Sequence, residues 1–338
     1  MPSDSINAFA GLIDLASERL GGRVLVASDE FFAEKENLLK SGAAIFIPDK
    51  YTRRGKWMDG WETRRRRTPG HDWCIIKLGC AGALHGVDID TSHFLGNNPS
   101  YASIEACSLE GNPSAELLTK QTVGWEEILP KSPLKAGSHN VFALQAERRW
   151  THIRLNIYPD GGVARLRLFG TVIPDWRSYK KGSVLDLAAV ENGGVAVAAS
   201  DMFFSPMNNL LMPGRATNMG DGWETRRRRG PGHDWVIVKL GRPGLIKKIE
   251  VDTNHFKGNY PDQCSIDTCY EPSRSVDALT WPDVPWMEIL PRTKLSPHAR
   301  HFFQRELKNV HQATHVRLNI YPDGGVSRLR VWGTIKTD

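Results

Sequence analysis

The feature that most constrains this chain is a segment of 21 residues that occurs twice. Residues 59–79 read DGWETRRRRTPGHDWCIIKLG, and residues 221–241 repeat them with three substitutions. A match of this length identifies an internal duplication, which sets the period of the whole chain. A buried surface alone would tolerate swaps between side chains of similar volume. Charged and polar residues retained in both copies therefore indicate a shared site or a shared ionic network.

The two copies also align beyond this segment. The motif DT-x-HF-x-GN at 90–97 recurs at 252–259, and RLNIYPDGGV at 154–163 recurs at 317–326. Copy one carries ten extra residues within 40–58. We therefore expect a first repeat at 1–173, a linker at 174–182 and a second repeat at 183–338.

The composition restricts which class of protein the chain can belong to. The chain has 338 residues, of which 40% are hydrophobic and 24% are charged, as in ordinary globular proteins of two domains. It contains no run approaching the ~18 apolar residues that cross a bilayer, and its N-terminus lacks the pattern of a signal peptide. The five cysteines form no Cys-x-x-Cys pair, which favours reduced thiols. We expect a cytoplasmic protein without membrane contact.

Each repeat is predicted to consist mainly of β-strands. Alternating or continuous apolar runs indicate strands with a buried face; they lie at 73–78, 87–90, 153–157, 165–169 and 249–252. Helical patterns are confined to Gly11–Leu20 and Phe31–Leu39. Short strands separated by turn residues favour an all-β fold of tandem duplicated jelly rolls or β-sandwiches with few short helices.

Each copy contains four consecutive arginines, at 64–67 and 226–229. If 61–67 is extended, Glu62, Arg64 and Arg66 share one face of the strand. An arginine drawn inward must be paired or bind an anion, and its planar fork suits carboxylate or phosphate. A structural salt-bridge network and a solvated loop are the alternatives. Nucleic acid is disfavoured as a partner, because the rest of the chain lacks a basic excess or a series of stacking aromatics.

Acid–imidazole pairs also recur, and they are Asp90 with His93, Asp252 with His255, His71 with Asp72 and His233 with Asp234. A histidine titrates near neutrality, so it can act as a general acid or base while an aspartate orients it. Aspartate and histidine also bind metals, although no His-x-x-x-His or Glu-x-x-His spacing supports a metal site. A strand-end histidine bonded to a turn is the structural alternative.

Two other groups of repeated residues are predicted to have structural roles. The sequence Tyr-Pro-Asp-Gly-Gly, at 158–162 and 321–325, is typical of a turn, which makes Asp160 and Asp323 turn residues. Arginines that alternate with apolar neighbours predict an ordinary outward strand face; these are Arg154, Arg165, Arg167, Arg317, Arg328 and Arg330.

Three motifs give the chain a family resemblance. GWETRRRR with PGHDW, DT-x-HF-x-GN, and RLNIYPDGG resemble the motifs of the allantoicases over nearly the whole chain, in both copies. The resemblance implies tandem jelly rolls of the galactose-binding-like type. It also implies hydrolysis of allantoate to ureidoglycolate and urea in purine degradation. No cofactor is required by the sequence, and a divalent metal and assembly into a homo-oligomer are left open.

Allantoate carries one carboxylate and two ureido groups on a single carbon, so a site for it needs a cation, an acid and a base. On this hypothesis an arginine binds the carboxylate, a histidine oriented by an aspartate or else a glutamate moves the proton, and an asparagine bonds a ureido group. The candidate catalytic residues are His93, Asp90, His255, Asp252, Glu62 and Glu224. The candidate substrate-binding residues are Arg64, Arg66, Arg226, Arg228, Asn97 and Asn259.

A carbohydrate-binding module without catalysis is the alternative function, because jelly rolls support both and fold alone does not decide. Trp125, Trp286 and Tyr158 would then stack on sugars. A regulatory nucleic-acid binder that uses the arginine runs is a third reading, with steeply salt-dependent affinity. Release of urea from allantoate distinguishes the enzyme from both.

Overall fold

The computed structural model of the chain describes residue 9, residues 11–120 and residues 122–335. The chain divides into two compact units, Met1–Ile173 and Pro174–Asp338. Residues 174–182 lie at the start of the second unit and include the 3-10 helix Trp176–Ser178. Within the described ranges, no helix combines the length and apolar character needed to span a membrane.

The first unit consists of antiparallel strands with little helix. Its strands are β1 (Ile13–Asp14), β2 (Arg23–Ala27), β3 (Tyr51–Thr52), β4 (Gly55–Lys56), β5 (Trp61–Glu62), β6 (Asp72–Asp90), β7 (Tyr101–Cys107), β8 (Glu126–Pro133), β9 (His139–Tyr158), β10 (Gly162–Val163) and β11 (Arg165–Val172). Its helices are α1 (Ala115–Thr119) and the 3-10 helices Glu18–Leu20 and Lys35–Leu39.

The second unit repeats this arrangement without counterparts of β3 and β4. Its strands are β12 (Val184–Asp186), β13 (Val195–Ala199), β14 (Trp223–Glu224), β15 (Asp234–Asp252), β16 (Gln263–Cys269), β17 (Met287–Lys294), β18 (Arg300–Phe303), β19 (Gln312–Tyr321), β20 (Gly325–Val326) and β21 (Arg328–Ile335). Further 3-10 helices are Val190–Asn192, Met207–Leu211, Met219–Asp221 and Asp277–Thr280.

Two long strands organise the sheet of the first unit. The strand order is β1-β11-β6-β9-β7-β8, with β2 also paired to β6. Strand β6 pairs with β2 over 74–77 and with β11 over 82–90, and its register with β9 shifts between these ranges. Strand β6 therefore pairs with β2 along its first part, with β11 along its second part and with β9 along both. Side chains such as Ile75, Leu84 and Ile89 are fully buried along it and form the core.

The second unit has the corresponding order β12-β21-β15-β19-β16-β17, with β13 and β18 paired to β15. The five sequence segments predicted as strands all lie within strands, namely 73–78 and 87–90 in β6, 153–157 in β9, 165–169 in β11 and 249–252 in β15. The predicted all-β architecture of tandem jelly-roll sandwiches is confirmed.

The two predicted helices are wrong. Residues 11–20 form β1 and one 3-10 turn, because the Asp14 carboxylate accepts the Leu168 N–H at 2.9 Å and ties this segment to β11. Residues 31–39 become helical only as a 3-10 helix, after Ala33 has bridged to β5. In both segments, pairing with a distant strand prevails over a short helix, whose first turn is costly to nucleate.

A buried ion pair holds each repeated segment in place. Arg165, at the start of β11, is 3% exposed, and its Nη2 lies 2.6 Å from Oδ2 of Asp59. Two further N–H groups of this guanidinium donate to the main-chain oxygens of Asp59 and Gly42, at 2.8 and 2.9 Å. In the second unit Arg328, which is 2% exposed, pairs with Asp221 at 3.1 Å. Because a buried charge must be compensated, each pair fixes the chain that leads into β5 or β14.

The predicted outward strand face is therefore wrong for Arg165 and Arg328, whose side chains are buried. Arg167 and Arg330 are also covered, because their guanidinium groups donate to main-chain oxygens in the loops at 40–42 and 211–214. These contacts join residues more than 100 positions apart in the chain. A period-two pattern identifies the strand but cannot show that a distant loop packs over its outer face.

The five cysteines all lie in the described part of the chain, where each is buried and none forms a disulfide. Burial raises the pKa of the Cys107 and Cys269 thiols to about 12, so both are neutral at physiological pH. The prediction that these two residues act as small buried apolar groups is confirmed.

Two buried histidines make stability depend on pH. His152 and His315 are 0% and 2% exposed, and the Nδ1 of each lies 2.9 Å from the hydroxyl of the preceding threonine. Burial lowers the pKa of each histidine from 6.5 to about 4. The unfolded state therefore binds more protons than the folded state between pH 6.5 and pH 4, and the unfolding free energy falls as pH falls through this window.

We expect the urea midpoint of the full chain to decrease between pH 7 and pH 4.5, with these histidines contributing roughly 2–3 kcal/mol each. The variant His152→Gln/His315→Gln keeps hydrogen-bonding groups but does not titrate, so its midpoint should decrease less over the same range. Urea unfolding of both proteins, followed by tryptophan fluorescence, measures the difference. An equal decrease in the two proteins would contradict this explanation.

The buried ion pair makes a second prediction about stability. Asp59→Asn leaves the Arg165 guanidinium buried without a counter-charge, which costs roughly 3–5 kcal/mol of unfolding free energy. Glu126→Gln removes the partner of Arg148, and because both of these side chains are more than half exposed, it should cost less than about 1 kcal/mol. Chemical denaturation of the two variants provides the comparison, and similar losses would show that Asp59 is not the anchor.

Candidate active site

Each unit contains one equivalent cavity, located where β5 or β14 meets the Tyr-Pro-Asp-Gly-Gly turn. The cavity of the first unit has a volume of about 360 Å³, and that of the second about 500 Å³. The same twelve aligned positions line both, and ten of the twelve residues are identical. The two differences are Asn98 against Tyr260 and Ser100 against Asp262. We call them the Glu62 cavity and the Glu224 cavity.

A glutamate held by an asparagine lies in each cavity. Strand β5 pairs with β10 so that Glu62 faces Gly162, and the neighbouring Trp61 points into the core, fully buried. Nδ2 of Asn97 donates to Oε1 of Glu62 at 2.7 Å. Only 9% of Glu62 is exposed, and burial raises the pKa of its carboxyl group. In the second unit Asn259 donates to Glu224 in the same way.

The motif DT-x-HF-x-GN positions the asparagine. Phe94 is fully buried, and a Cβ added to Gly162 would lie 2.0 Å from its ring, so only glycine fits opposite it. The Thr91 hydroxyl donates to main-chain oxygens at 135 and 138 and anchors the start of this loop. The loop thus brings Asn97 to the cavity from a fixed base.

One arginine of each run is built into the cavity wall. The Arg66 main-chain N–H donates to the Asp160 carboxylate at 2.8 Å, and its Nη1 donates to Oδ1 of Asp72 at 2.8 Å. Its Nε is buried and has no hydrogen-bond partner among the described residues. A Cβ at Gly70, where φ is +125°, would lie 3.0 Å from Nη2, so glycine at this turn lets the guanidinium pack closely. Arg228 has the equivalent contacts in the second unit.

A second arginine of each run faces the cavity, and the sequence had not singled it out. Arg65 and Arg227 line the cavities and are exposed, with no ion pair to a described residue. Arg64, predicted to bind substrate, instead lies outside the lining, is 65% exposed and pairs with Asp29 at 2.7 Å. Arg226 likewise pairs with Asp201.

The predicted alternation of faces fails after β5 because the chain leaves the ladder there. The Thr63 main-chain N–H donates to the Gly161 oxygen, and the next N–H, of Arg64, donates to the Asp29 carboxylate. Each successive residue thus takes a partner on a different segment. Strand periodicity therefore cannot predict which arginine faces the cavity.

The predicted aspartate–histidine pairs are not brought together. The Asp90 carboxylate accepts the Ser92 N–H at 2.8 Å, whereas His93, whose φ is +71°, donates from Nε2 to the Ala44 oxygen at 3.2 Å. His93 stacks on Phe46, with 5.6 Å between ring centroids. Neither member lines the Glu62 cavity. The proposed orientation of this histidine by Asp90 is therefore wrong.

The second unit shows the same separation. Asp252 accepts hydrogen bonds from the guanidinium of Arg215 at 3.0 and 3.2 Å. His255 donates from Nε2 to the Ala216 oxygen at 2.9 Å. The other repeated pair has a structural role, because His71 stacks on Tyr158 at 4.6 Å between ring centroids, and Asp72 binds Arg66.

Sequence reasoning missed one acid–imidazole contact. Nδ1 of His139 lies 2.7 Å from Oδ2 of Asp88, which is 3% exposed. Burial disfavours the charged imidazole, but the hydrogen bond and charge of Asp88 outweigh it and raise the pKa of His139. The alternation of Asp88 and Asp90 in β6 was the available signal. In the second unit, Arg300 stands at the position of His139, and Glu250 stands at the position of Asp88. The contact between histidine and aspartate is therefore not part of a shared site.

Neither a metal centre nor a sugar platform is formed by the residues predicted for them. Within the described ranges, no three His, Cys, Asp or Glu residues are grouped to hold a metal ion. Trp125 and Trp286 are half-buried, with Arg154 and Arg317 over their rings at 5.1 and 4.7 Å. Tyr158 lies under Lys131, at 4.5 Å. A cation therefore covers one face of each of these rings.

Comparisons with known proteins agree with the duplication of the chain. A family model described as "Allantoicase repeat" matches residues 13–173 and again residues 185–336. The chain is 52% identical to "Probable allantoicase 1" of Burkholderia mallei, over 96% of this chain and 94% of that protein. It is 52% identical to "Allantoicase" of Dictyostelium discoideum, over 94% and 86% of the two chains. The crystal structure of allantoicase from Saccharomyces cerevisiae superposes with a TM-score of 0.81, at 38% identity and 98% coverage of both chains. The chain belongs to the allantoicase family.

Proposed function

We propose that this protein hydrolyses allantoate to ureidoglycolate and urea, and that the reaction takes place in the Glu62 cavity and in the Glu224 cavity. The observation that carries the assignment of the site is the duplicated glutamate, which in each unit is hydrogen-bonded to an asparagine and lies beside an arginine that has no ion pair to a described residue. A carboxyl group, an amide and a cation are the groups that a ureide with one carboxylate requires.

Arg65 is the cation for the substrate carboxylate. It lines the cavity and has no ion pair to a described residue, so its planar fork can make two parallel hydrogen bonds to a carboxylate. Arg66 lines the same wall, but it stays bound to Asp72 and supplies a fixed positive charge. The free oxygen of the Asn97 amide accepts an N–H from a ureido group, while its NH₂ holds Glu62.

Glu62 moves the proton. Its raised pKa favours the neutral acid, which protonates the ureido nitrogen as the bond from that nitrogen to the central carbon breaks. The lone pair of the second ureido nitrogen stabilises the electron-poor carbon, and urea departs. Water then adds its oxygen to this carbon and gives a proton to the Glu62 carboxylate, which restores the acid. One water is consumed, and no other reactant is needed.

Hydrogen bonds hold the residues around Glu62 in place. The Asp160 carboxylate accepts the Arg66 N–H, and the Gly161 oxygen accepts the Thr63 N–H, so the turn is joined at two points to the residues that follow the glutamate. A positioned acid contributes only when its geometry is held near the reacting atoms. We place the reaction in the cytoplasm, because reduced cysteines without disulfides are typical of that compartment.

Glutamine in place of the two glutamates tests the proton transfer. Glu62→Gln and Glu224→Gln each leave one working cavity, so each should retain part of the urea release, and the double variant should lose at least about 10²-fold in kcat. In the Glu224→Gln background, kcat should decrease as pH rises through the raised pKa of Glu62, because the neutral acid is lost. A coupled urea assay with allantoate as the substrate measures kcat for the two single variants and the double variant.

The competing assignment to the histidines has its own control. Asparagine tolerates the left-handed backbone at His93 and His255, so His93→Asn and His255→Asn remove the imidazoles without strain. We expect both variants to release urea normally. Loss of turnover in these variants, together with retention in the double glutamine variant, would return the chemistry to the histidines. Absence of urea release by the unmodified protein, with binding of a glycan instead, would support the carbohydrate-binding alternative.

Alanine in place of the cavity arginines tests substrate binding. Arg65→Ala/Arg227→Ala removes a charge-assisted contact to the substrate, so KM should rise about tenfold or more while stability is unchanged. Arg64→Ala/Arg226→Ala removes neighbouring arginines that lie outside the cavities, and it should leave KM near the normal value. Equal increases in the two double variants would show a general charge effect, not a specific contact. Steady-state kinetics at fixed ionic strength provide the comparison.

A further inference from the structure

We propose that the ten-residue insertion of the first unit builds a separate binding cavity for a small ureide carboxylate, beside the Glu62 cavity. This cavity has a volume of about 410 Å³ and is formed with residues 52–54 and 57–58 of the insertion region. We call it the insertion cavity. The choice of a ureide as ligand rests on the proposed function, whereas the cavity and its charge do not.

The hairpin of β3 and β4 presents the basic residues of this cavity. Thr52 pairs with Gly55, and its hydroxyl accepts the Arg54 N–H at 3.1 Å, which closes the turn. Both arginines at the tip, Arg53 and Arg54, line the cavity. The second unit lacks these ten residues, so it has no equivalent hairpin.

The charge of the insertion cavity favours an anion. Its charged lining residues are Lys40, Arg53, Arg54 and Glu34. Lys40 is engaged by Asp59 at 3.3 Å, but no carboxylate of a described residue forms an ion pair with Arg53 or Arg54. The lining thus contains two guanidinium groups without an ion pair to a described residue and only one carboxylate, that of Glu34. The planar fork of arginine is suited to bind a carboxylate through two parallel hydrogen bonds.

The remaining walls of the insertion cavity combine apolar and positively charged surface. Trp57, Met58 and Phe32 provide apolar surface, and Nζ of Lys50 lies 3.7 Å from the Trp57 ring centroid, which adds positive charge to the same wall. Ligand sites usually combine apolar walls with a few placed polar groups. The insertion cavity is slightly larger than the Glu62 cavity, so it has room for a molecule of the same size.

Phe32 connects the two cavities. Its side chain lines both, and a Cβ added to Gly55 would lie 3.7 Å from its ring, so the hairpin lies directly beside it. Phe32 is 37% exposed, whereas its counterpart Phe204, which has no hairpin next to it, is 61% exposed. The insertion therefore covers an aromatic side chain that forms part of the wall of the Glu62 cavity.

The binding experiment uses the full chain with Glu62→Gln/Glu224→Gln, which is expected to consume allantoate at least about 10²-fold more slowly, and with 5-fluorotryptophan in place of tryptophan. The ¹⁹F resonance of Trp57 is assigned from a Trp57→Phe sample. Titration with allantoate should shift this resonance saturably. Arg53→Ala/Arg54→Ala should weaken the binding at least tenfold. Arg23→Ala/Arg305→Ala, which removes two exposed arginines elsewhere, should leave it unchanged.

Further arms separate this site from its neighbour and from simpler ligands. Arg65→Ala/Arg227→Ala should retain the Trp57 shift, and loss of the shift in this variant alone would mean that Trp57 reports the Glu62 cavity, which overturns the proposal. Absence of any saturable shift would also overturn it. Acetate should bind at least tenfold more weakly than allantoate, and equal affinity would overturn the assignment to a ureide. Urea release is assayed in the same samples to show that allantoate is not depleted during the titration. Release of urea by the unmodified enzyme tests the proposed function separately, so failure of one proposal is distinguishable from failure of the other.

Discussion

The buried ion pair of Arg165 with Asp59, repeated as Arg328 with Asp221, is the constraint on which each site depends. It lies outside the cavity, yet it joins the start of β11 or β21 to the chain immediately before β5 or β14. An unpaired charge at this depth would be costly, so the geometry of the contact is narrowly defined. Three residues after Asp59, the chain reaches Glu62. The place of the proposed acid thus follows from a contact that never touches the substrate.

The repeated motifs combine a frame with a small number of reactive groups. Arg66 and Asp72, with the glycine turn at 70, hold the wall, because Nη1 of the arginine is bound to the carboxylate of the aspartate. Glu62 and Arg65 retain groups directed to the cavity, one with a raised pKa and one without an ion pair. Residue identity in both copies therefore does not by itself distinguish catalysis from support. The distinction comes from which polar atoms already have partners.

Sequence reasoning succeeds where the determining contacts are local. The alternation at 87–90 predicts a strand because adjacent residues of a half-buried strand face opposite environments. It fails where contacts are distant, as for Arg64 with Asp29, which lie 35 positions apart, and Arg165 with Asp59, which lie 106 apart. The same limit explains His93, whose ring is bound by the insertion loop and not by the nearby Asp90. Glu62 and Asn97, by contrast, are candidates from the sequence alone because both motifs recur intact, and the structure brings their side chains into contact.

The two units differ around their cavities more than within them. Asp262 adds a carboxylate to the Glu224 cavity, but Lys294 binds it at 2.6 Å, so its charge is largely compensated. The glutamate, asparagine and arginine are the same on both sides. The units should therefore share one chemistry and differ in access, since the aromatic side chain at the wall is covered by a hairpin in the first unit and open in the second. The proposed reacting groups are the same in both units, and the insertion adds a hairpin beside one of the two cavities.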